Sequence, residues 1–299
     1  MITALIVVAA LVLDARFGEP RHFHPLIGFG RVAKLLELCI YSDSRTRGVV
    51  ALALLLFSFT LFIMLTRWLF PLDFLFDALL LYLAIGWHSL EQHARNVRDA
   101  LVDGDLIAAR QQVALMVSRD TSTLDPQETT KATLESALAN GNDAIFAVIF
   151  WFIIGGAQGV VIYRLVNTLD AMWGYRNERY NHFGWGAARL DDLMNFIPAR
   201  LTALGYALAG KTQIALRCWQ KQGAYWKSPN AGPVMASGAG SLGLQLGGAA
   251  SYHGTVEERP LLGEGRQPAI DDIDCALNLI RRTLLIWLLV LFLGAWFVW

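Results

Sequence analysis

Three stretches of this chain, 49–66, 144–163 and 283–299, run without a single charged side chain and are built mostly from Leu, Val, Ile, Phe, Ala and Trp. A helix needs about 20 apolar residues to cross the hydrocarbon core of a bilayer. Lipid offers no hydrogen-bond partners, so a crossing segment must satisfy its own backbone. One such run could be a buried helix of a soluble protein; three cannot. Composition agrees, with 55% hydrophobic and 17% charged residues against about 25% charged in soluble domains. A shorter run, 78–90, follows Asp77 and reads as a return segment over 74–90 after a turn at Pro71. Residues 1–13 are apolar but lack the basic start of a signal peptide, so they read as a retained membrane-inserted segment. The expectation is a mainly α, polytopic integral membrane protein. It has four to five membrane-inserted helical segments and a cytoplasmic helical and loop region, all within one domain spanning 1–299.

Lys and Arg in the loops set orientation. Residues 14–48 hold Arg16, Arg21, Arg31, Lys34, Arg45 and Arg47, whereas the turn after 66 holds only Arg67. The first loop is expected in the cytoplasm and the short turn outside it, with the chain returning near His88. A simple outward span at 144–163 would then carry Arg164, Arg176, Arg179 and Arg189 to the wrong side. Gly155, Gly156 and Gly159 interrupt that run, so a re-entrant hairpin is expected there. A return through 193–209, despite Pro198 and Arg200, is the alternative.

The polar stretches, 91–143 and 164–282, read as helices and loops. Leu90, Ala94, Val97 and Leu101 recur at helical spacing. Gly104-Asp105 breaks that helix and caps the next, over 106–117. Asp125-Pro126-Gln127-Glu128 is a capping-box start for a helix to about Leu138. Residues 210–282 are richer in Gly, Pro and Ser, and no β alternation of useful length is visible.

Several chemistries are excluded. Cys39, Cys218 and Cys275 form no CxxC pair, so neither a disulfide framework nor a zinc site is expected. His22 and His24 offer two metal ligands without a third. Lys plus Arg and Asp plus Glu both number 25, and nothing marks a nucleic-acid surface. No GxxxxGK[ST] loop exists, no Ser-His-Asp or Cys-His grouping stands out, and Gly243 to Gly248 reads as a turn. A transporter would need more full-length spans, in two matching halves.

The densest polar cluster lies between 167 and 200. It holds Asn167, Asp170, Arg176, Asn177, Glu178, Arg179, Arg189, Asp191, Asp192, Asn195 and Arg200. From Arg189 onward the pattern is an amphipathic helix. Leu190, Leu193, Met194, Ile197, Leu201 and Leu204 share one face, with Arg189, Asp192, Asn195 and Arg200 broadly on the other. A solvated face with local ion pairs would give the same spacing. Charged groups beside bilayer-embedded helices are costly, however, and such placement favours function. Carboxylates hold Mg²⁺ through oxygen and arginines grip phosphate with two N–H groups, so the cluster suits phosphate transfer or acyl activation.

Nearly end to end, the ordered motifs resemble the adenosylcobinamide-phosphate synthase family, the CobD/CbiB membrane proteins. They begin with Leu13-Asp14, Gly18-Glu19-Pro20 and His24-Pro25-Leu26-Ile27-Gly28, and continue with Ser118-Arg119-Asp120-Thr121 and Glu135-Ser136, Asn140 and Asp143. The most specific portion runs from Asn167-Thr168-Leu169-Asp170 through Gly174 to Tyr180, Phe183-Gly184-Trp185 and Ala188 to Asp192, ending at Pro198-Ala199-Arg200. Ser228-Pro229-Asn230-Ala231-Gly232, Leu246-Gly247-Gly248, Tyr252-His253-Gly254 and Arg259-Pro260 close it. Two positions depart from the usual pattern: Ala139 stands where Glu is usual and Ala144 where Gly is usual. A sensor-like AmpE-type relative would share the architecture but lose the Arg/Asp-rich motif, which is kept here.

The resemblance implies an ATP-dependent acid-amine ligase of cobalamin biosynthesis. Its corrinoid substrate would be adenosylcobyric acid, and its amine (R)-1-amino-2-propanol or the O-phosphate of that amine. It would sit in the cell inner membrane with a cytoplasmic site, using ATP and Mg²⁺. Asp170, Glu178, Asp191 and Asp192 are the candidate base and catalytic carboxylates, with Asp170, Asp191 and Asp192 as candidate Mg²⁺ ligands. Arg119, Asp120, Asn167, Arg176, Asn177, Arg179, Arg189, Asn195, Arg200, Ser228 and Asn230 are candidates for binding substrate or phosphate, and Glu135 and Asp143 extend the carboxylate set. His24-Pro25 reads as a structural turn. Trp173, Tyr175, Trp185 and Trp226 could line a corrin groove or act as interfacial anchors. Beyond substrates, the partners to consider are the lipid bilayer, a second copy of the chain and other membrane enzymes of the pathway.

Overall fold

A computed structural model describes residues 1–20, 24–70, 72–175, 177–252 and 255–297. Arg21, His22, Pro71, Arg176, His253 and Gly254, each singled out above, and the last two residues of the 283–299 run lie outside the described residues. The chain is built from helices: α1 Ile2–Phe17, α2 Pro25–Ile40, α3 Arg45–Leu69, α4 Asp73–Ala84, α5 Trp87–Val102, α6 Leu106–Ala114, α7 Pro126–Gly141, α8 Ala147–Trp173, α9 Trp185–Ala209, α10 Thr212–Gln222, α11 Ala231–Leu242 and α12 Asp272–Phe297. A π-turn, Asn142–Phe146, joins α7 to α8. Among the described residues, four stretches are long and apolar enough to cross a membrane: Arg45–Leu69, Asp73–Val102, Pro126–Trp173 and Asp272–Phe297. The chain is therefore a mainly α, multi-pass membrane protein. Helix α1 is apolar on all sides but shorter.

Two compact units emerge, Met1–Gly86 with Ala147–Asn195, and Trp87–Phe146 with Phe196–Trp299. In the first unit, α2, α3 and α4 each pack on α8, and α1 packs on α4. The centre holds Phe29 and Ala33 of α2, Ala51, Leu52 and Leu55 of α3, Leu165, Leu169 and Trp173 of α8, and Phe183 with Ala187. The far face of α3 is left bare: Phe57 is 69% exposed and Trp68 83%. A soluble protein would not leave such a stripe in water; here it matches a lipid-facing surface.

Helix α8 is broken inside its apolar run. Gly156 adopts φ 58° and ψ −148°, a conformation open almost only to glycine. A straight helix would separate Trp151 from Gly159 by about 12 Å. Instead the Trp151 carbonyl sits where any side chain on Gly159 would have to go. Trp151 Nε1 donates to the carbonyl of Met194 at 3.1 Å, and the Tyr163 hydroxyl donates to the neighbouring Asn195 side chain at 3.0 Å. Residues 151 and 163 thus reach the same turn of α9, so the chain folds back at Gly156. The apolar part of the first arm, residues 144–155, is about 18 Å long, shorter than a ~30 Å hydrocarbon core, so the kink makes a helical hairpin inside the apolar run.

In the second unit α5 buries Leu90, Ala94, Val97 and Leu101, the stripe its spacing predicts. Asp105 caps α6 by accepting the Ala108 N–H, and α6 ends at Ala114 rather than Val117. Asp125 and Glu128 form a reciprocal capping box at the start of α7. Helix α11 is almost wholly buried; its small residues let the α10 backbone approach Gly240 and the Leu138 side chain approach Gly238.

Two features differ from expectation. Four short strands occur, β1 Leu246–Gly247, β2 Ala250–Tyr252, β3 Thr255–Glu257 and β4 Leu261–Leu262, with β1 pairing β4 and β2 pairing β3, both antiparallel. Strands of two or three residues carry no readable alternation. On α9 the apolar stripe faces outward, with Leu193 71% and Ile197 56% exposed, while Asn195 and Thr202 are buried. The buried side of α9 is the one whose polar groups find partners: Asn195 bonds Asp191 and Tyr163, and Thr202 donates to Asn142.

Candidate active site

In the second unit, polar side chains from three segments far apart in sequence, with Met235 of α11, converge on one cavity of about 260 Å³. Ser118 and Arg119 come from the loop after α6, Glu135, Ser136, Ala139 and Asn140 from α7, and Arg259 from beyond β3. Glu135 is the hub. One of its oxygens accepts the Gly247 N–H at 2.9 Å and Arg259 at 3.2 Å; the other accepts Arg259 at 3.0 Å and Arg119 at 3.3 Å. All three side chains are buried, at 6–7% exposure. Arg259 Nε also donates to the Gly248 carbonyl at 2.9 Å, and its guanidinium lies over the Trp226 ring. Gly247 must be glycine: its φ is 74°, and the Pro260 carbonyl fills the space a side chain would need. Ser136 Oγ donates to the Met116 carbonyl and accepts from Asn140, which ties the loop to α7. Ala139, the departure from the usual pattern, is part of the cavity wall.

The first unit holds a second polar centre. Asp191 accepts the Asn167 side-chain N–H on one oxygen at 3.3 Å and that of Asn195 on the other at 3.0 Å. Asn195 accepts in turn from the Tyr163 hydroxyl. Burial pushes the Asp191 carboxyl above the usual aspartate range; the two amide bonds oppose the shift and the charge of Asp192 adds to it. Asp192 pairs with Arg189 at 3.6 Å across one helical turn. The Asp170 carboxylate lies against Gly174, where there is no room for a side chain.

Also in the first unit, Glu37 of α2 is 1% exposed. It accepts Arg179 through Nε at 3.1 Å and a terminal nitrogen at 2.7 Å, the Tyr180 hydroxyl at 3.1 Å and Trp173 Nε1 at 3.1 Å. Burial alone would raise its carboxyl. The bonds from Arg179, Tyr180 and Trp173, with the charge of Lys34, outweigh burial and hold it below the ordinary range. Arg179 also lies over the Tyr41 ring, His182 meets Asp43 at 2.9 Å, and the Phe183 carbonyl abuts Gly48. The segment after α8 is thereby fixed to the α3 end that carries Arg45, the same end as the loop before it.

His24 caps α2 by accepting the Leu26 N–H on Nδ1. Burial lowers its pKa, so the ring is neutral near pH 7 with its proton on Nε2. With Glu19 and Arg164 it lines a cavity of about 470 Å³.

The predicted site residues thus fall into separate sets. Asn167, Asp191 and Asn195 meet in the first unit; Arg179 is engaged by Glu37, Asn177 accepts the Tyr180 N–H, and Glu178 is exposed. In the second unit Arg119 joins Glu135, while Asp120 turns back to bond Ser122. Arg200 donates to Asn230 at 2.7 Å and to the Pro229 carbonyl, and Ser228 accepts the Asn230 and Ala231 N–H groups at the start of α11. Among the described residues no three His, Cys, Asp or Glu side chains gather closely enough to hold a metal ion. Sequence reasoning missed Glu37 and the pairing of Arg259. Glu37 left a signal, being a charge on the buried i, i+4 stripe of Phe29 and Ala33.

The sequence profile of the family described as "CobD/Cbib protein" matches residues 7–280. The chain is 53% identical over 296 residues to the cobalamin biosynthesis protein CobD of Stutzerimonas stutzeri, covering 98% of each chain. It is 52% identical to the protein of the same name from Chromobacterium violaceum, covering 96% of this chain and 95% of that one. Identity is 38% over 284 residues to that of Mycobacterium tuberculosis, with 92% and 90% covered. No solved structure matches the chain.

Proposed function

Because the chain belongs to the CobD/CbiB family, we propose that it is a cobalamin-biosynthetic membrane enzyme that joins (R)-1-amino-2-propanol, or its O-phosphate, to a carboxylate of adenosylcobyric acid. A carboxylate and an ammonium do not condense at neutral pH, because each is in its unreactive state. ATP drives the step: the carboxylate takes the terminal phosphoryl group, releasing ADP, and the free amine then displaces phosphate from the acyl phosphate. The enzyme must take a proton from the amine and hold anionic oxygens while charge moves.

The observation that carries this reading is the convergence of Arg119, Glu135 and Arg259 on one cavity. Two buried guanidiniums there suit anionic oxygens. Asp191, raised by burial, suits the base. Mg²⁺ would arrive on the nucleotide, since that ion typically takes one or two carboxylates plus substrate phosphates; Asp192 and Asp170 are the carboxylates to hold it, and it would screen phosphate charge. Positive-inside bias supports a cytoplasmic location for the Arg-bearing end of α3, and on this reading the protein sits in the inner membrane.

The test is turnover by purified full-length protein in detergent, given ATP, Mg²⁺, adenosylcobyric acid and either amine. Amide product with matching ADP release is expected. Absence of both product and nucleotide consumption overturns the reading.

A further inference from the structure

The cavity of about 470 Å³ in the first unit has no part in the reaction set out above. Its wall is polar on one side and apolar on the other: Glu19, His24 and Arg164 with Pro20, Leu26 and Ile27. His24 commits its Nδ1 lone pair to the Leu26 N–H, so the neutral ring carries its proton on Nε2 and can only donate there. That N–H feels the Leu83 carbonyl but completes a hydrogen bond with no group among the described residues, and neither does Arg164 Nε. Arg164 otherwise meets the Asn167 side-chain oxygen at a long 3.5 Å. Buried donors left in this state are costly, and an acceptor brought in by a ligand relieves them.

Glu19 supplies the opposite charge. It is exposed, and the turn that presents it is fixed: Gly18 has φ 61°, and the Tyr82 hydroxyl donates to the Gly18 carbonyl at 2.7 Å. Asp14 is within electrostatic reach of Tyr82, as Glu19 is, but it is wholly buried and stands outside the cavity wall. Among the described residues the wall therefore holds one carboxylate and one guanidinium. An anion alone would oppose Glu19, and a cation alone would oppose Arg164. A zwitterion with a phosphate and an ammonium satisfies both, the phosphate taking the guanidinium and imidazole N–H groups.

The surroundings select the zwitterion. The cavity lies where α1, apolar on all sides, ends. Phe17, two positions before Glu19, is exposed, and so is Ile27 in the wall itself. Arg164 stands eight residues after the turn at Gly156, about 12 Å along α8, and nine before the helix ends at Trp173. It thus lies between the apolar run and its polar end. Charged groups beside exposed apolar side chains at such a boundary match a phospholipid, whose headgroup and chains part at the same level. A soluble zwitterion would leave the exposed Phe17 and Ile27 without a role.

We propose that this cavity holds the headgroup of a bilayer phosphatidylethanolamine: Arg164 and His24 receive its phosphate, Glu19 its ammonium, and Phe17 and Ile27 lie along its acyl chains. The inference stands apart from the ligase reading.

The test strips full-length protein of lipid in detergent, then adds phosphatidylethanolamine, phosphatidylglycerol or phosphatidylcholine, with bound lipid read by native mass spectrometry. Phosphatidylethanolamine should bind about tenfold tighter than the others, the size of one charge-assisted contact. Phosphatidylglycerol has no ammonium, and the quaternary nitrogen of phosphatidylcholine has no N–H for Glu19. Arg164→Leu should weaken phosphatidylethanolamine by a similar factor. Glu19→Lys should reverse the order in favour of phosphatidylglycerol, a gain that misfolding cannot produce. Equal binding of the lipids by wild-type protein overturns the proposal, as does an unreversed order in Glu19→Lys. O-phosphoethanolamine and 1-amino-2-propanol O-phosphate carry the same polar groups without chains, and neither should displace the lipid at equal concentration. Displacement by either would assign the cavity to a soluble amine phosphate and overturn the lipid.

Discussion

Glu37 is a buried carboxylate and Asp191 a half-buried one, and their surroundings shift them in opposite directions. The donors to Asp191 are neutral amides, which do not offset its desolvation, and the charge of Asp192 adds to the shift, so its pKa rises. As a base it is competent only when ionised. Turnover should therefore fall as pH drops through a value above the ordinary 3.8. Asp191→Asn should lose about 10²–10⁴-fold in kcat and the acid limb with it; a pH–rate profile unchanged in the variant would remove Asp191 from the role. Glu37 is held down by Arg179 and its other donors despite burial. Its stabilising contribution is present above the ordinary 4.5 and is lost as pH falls through the lowered folded value. Glu37→Gln should cost about 1–3 kcal/mol at pH 7, seen as a lower Tm in detergent. The gap from wild type should close on acidification.

Among the elements, the α8 hairpin rests on one backbone conformation. Gly155 and Gly156 are adjacent and chemically identical, but only Gly156 has a positive φ; neither has an atom close enough to crowd a methyl group. Gly156→Ala should cost about 1–3 kcal/mol through strain alone. Gly155→Ala should be neutral or stabilise slightly, by up to about 1 kcal/mol. Thermal unfolding of the two variants side by side checks this; equal Tm values would mean that the chain does not turn back at Gly156.

At the scale of the molecule, the question is which ends of the helices share a side of the membrane. The bonds of Glu37 with Arg179 and Asp43 with His182, and the contact of Gly48 with Phe183, hold 179–183 to the starting end of α3. The far end of α3, at Leu69, lies about 36 Å away along a 25-residue helix. Single cysteines at positions 44 and 177, in a chain with its native cysteines replaced, should therefore react with an impermeant reagent from the cytoplasmic side. A cysteine at position 70 should react only from the other side. Labelling of 177 and 70 from one compartment would contradict this arrangement.

The residues alone marked the capped starts of α6 and α7 and the buried stripe of α5, because caps and apolar periodicity act within a few positions; ends were less legible, with α4 stopping at Ala84 inside the expected 74–90 segment and α6 at Ala114. Asp125 with Glu128, the Leu90 to Leu101 stripe and the apolar runs were all readable, and the ordered motifs pointed to the family. The hairpin was legible only as three glycines, and the short strands and the outward turn of the α9 stripe were not legible. The clusters needed the folded chain. Glu135 and Arg259 are 124 positions apart, and Glu37 and Arg179 142 apart. No local pattern encodes such meetings: burial makes each of these carboxylates depend on a donor that only the packing of distant helices delivers.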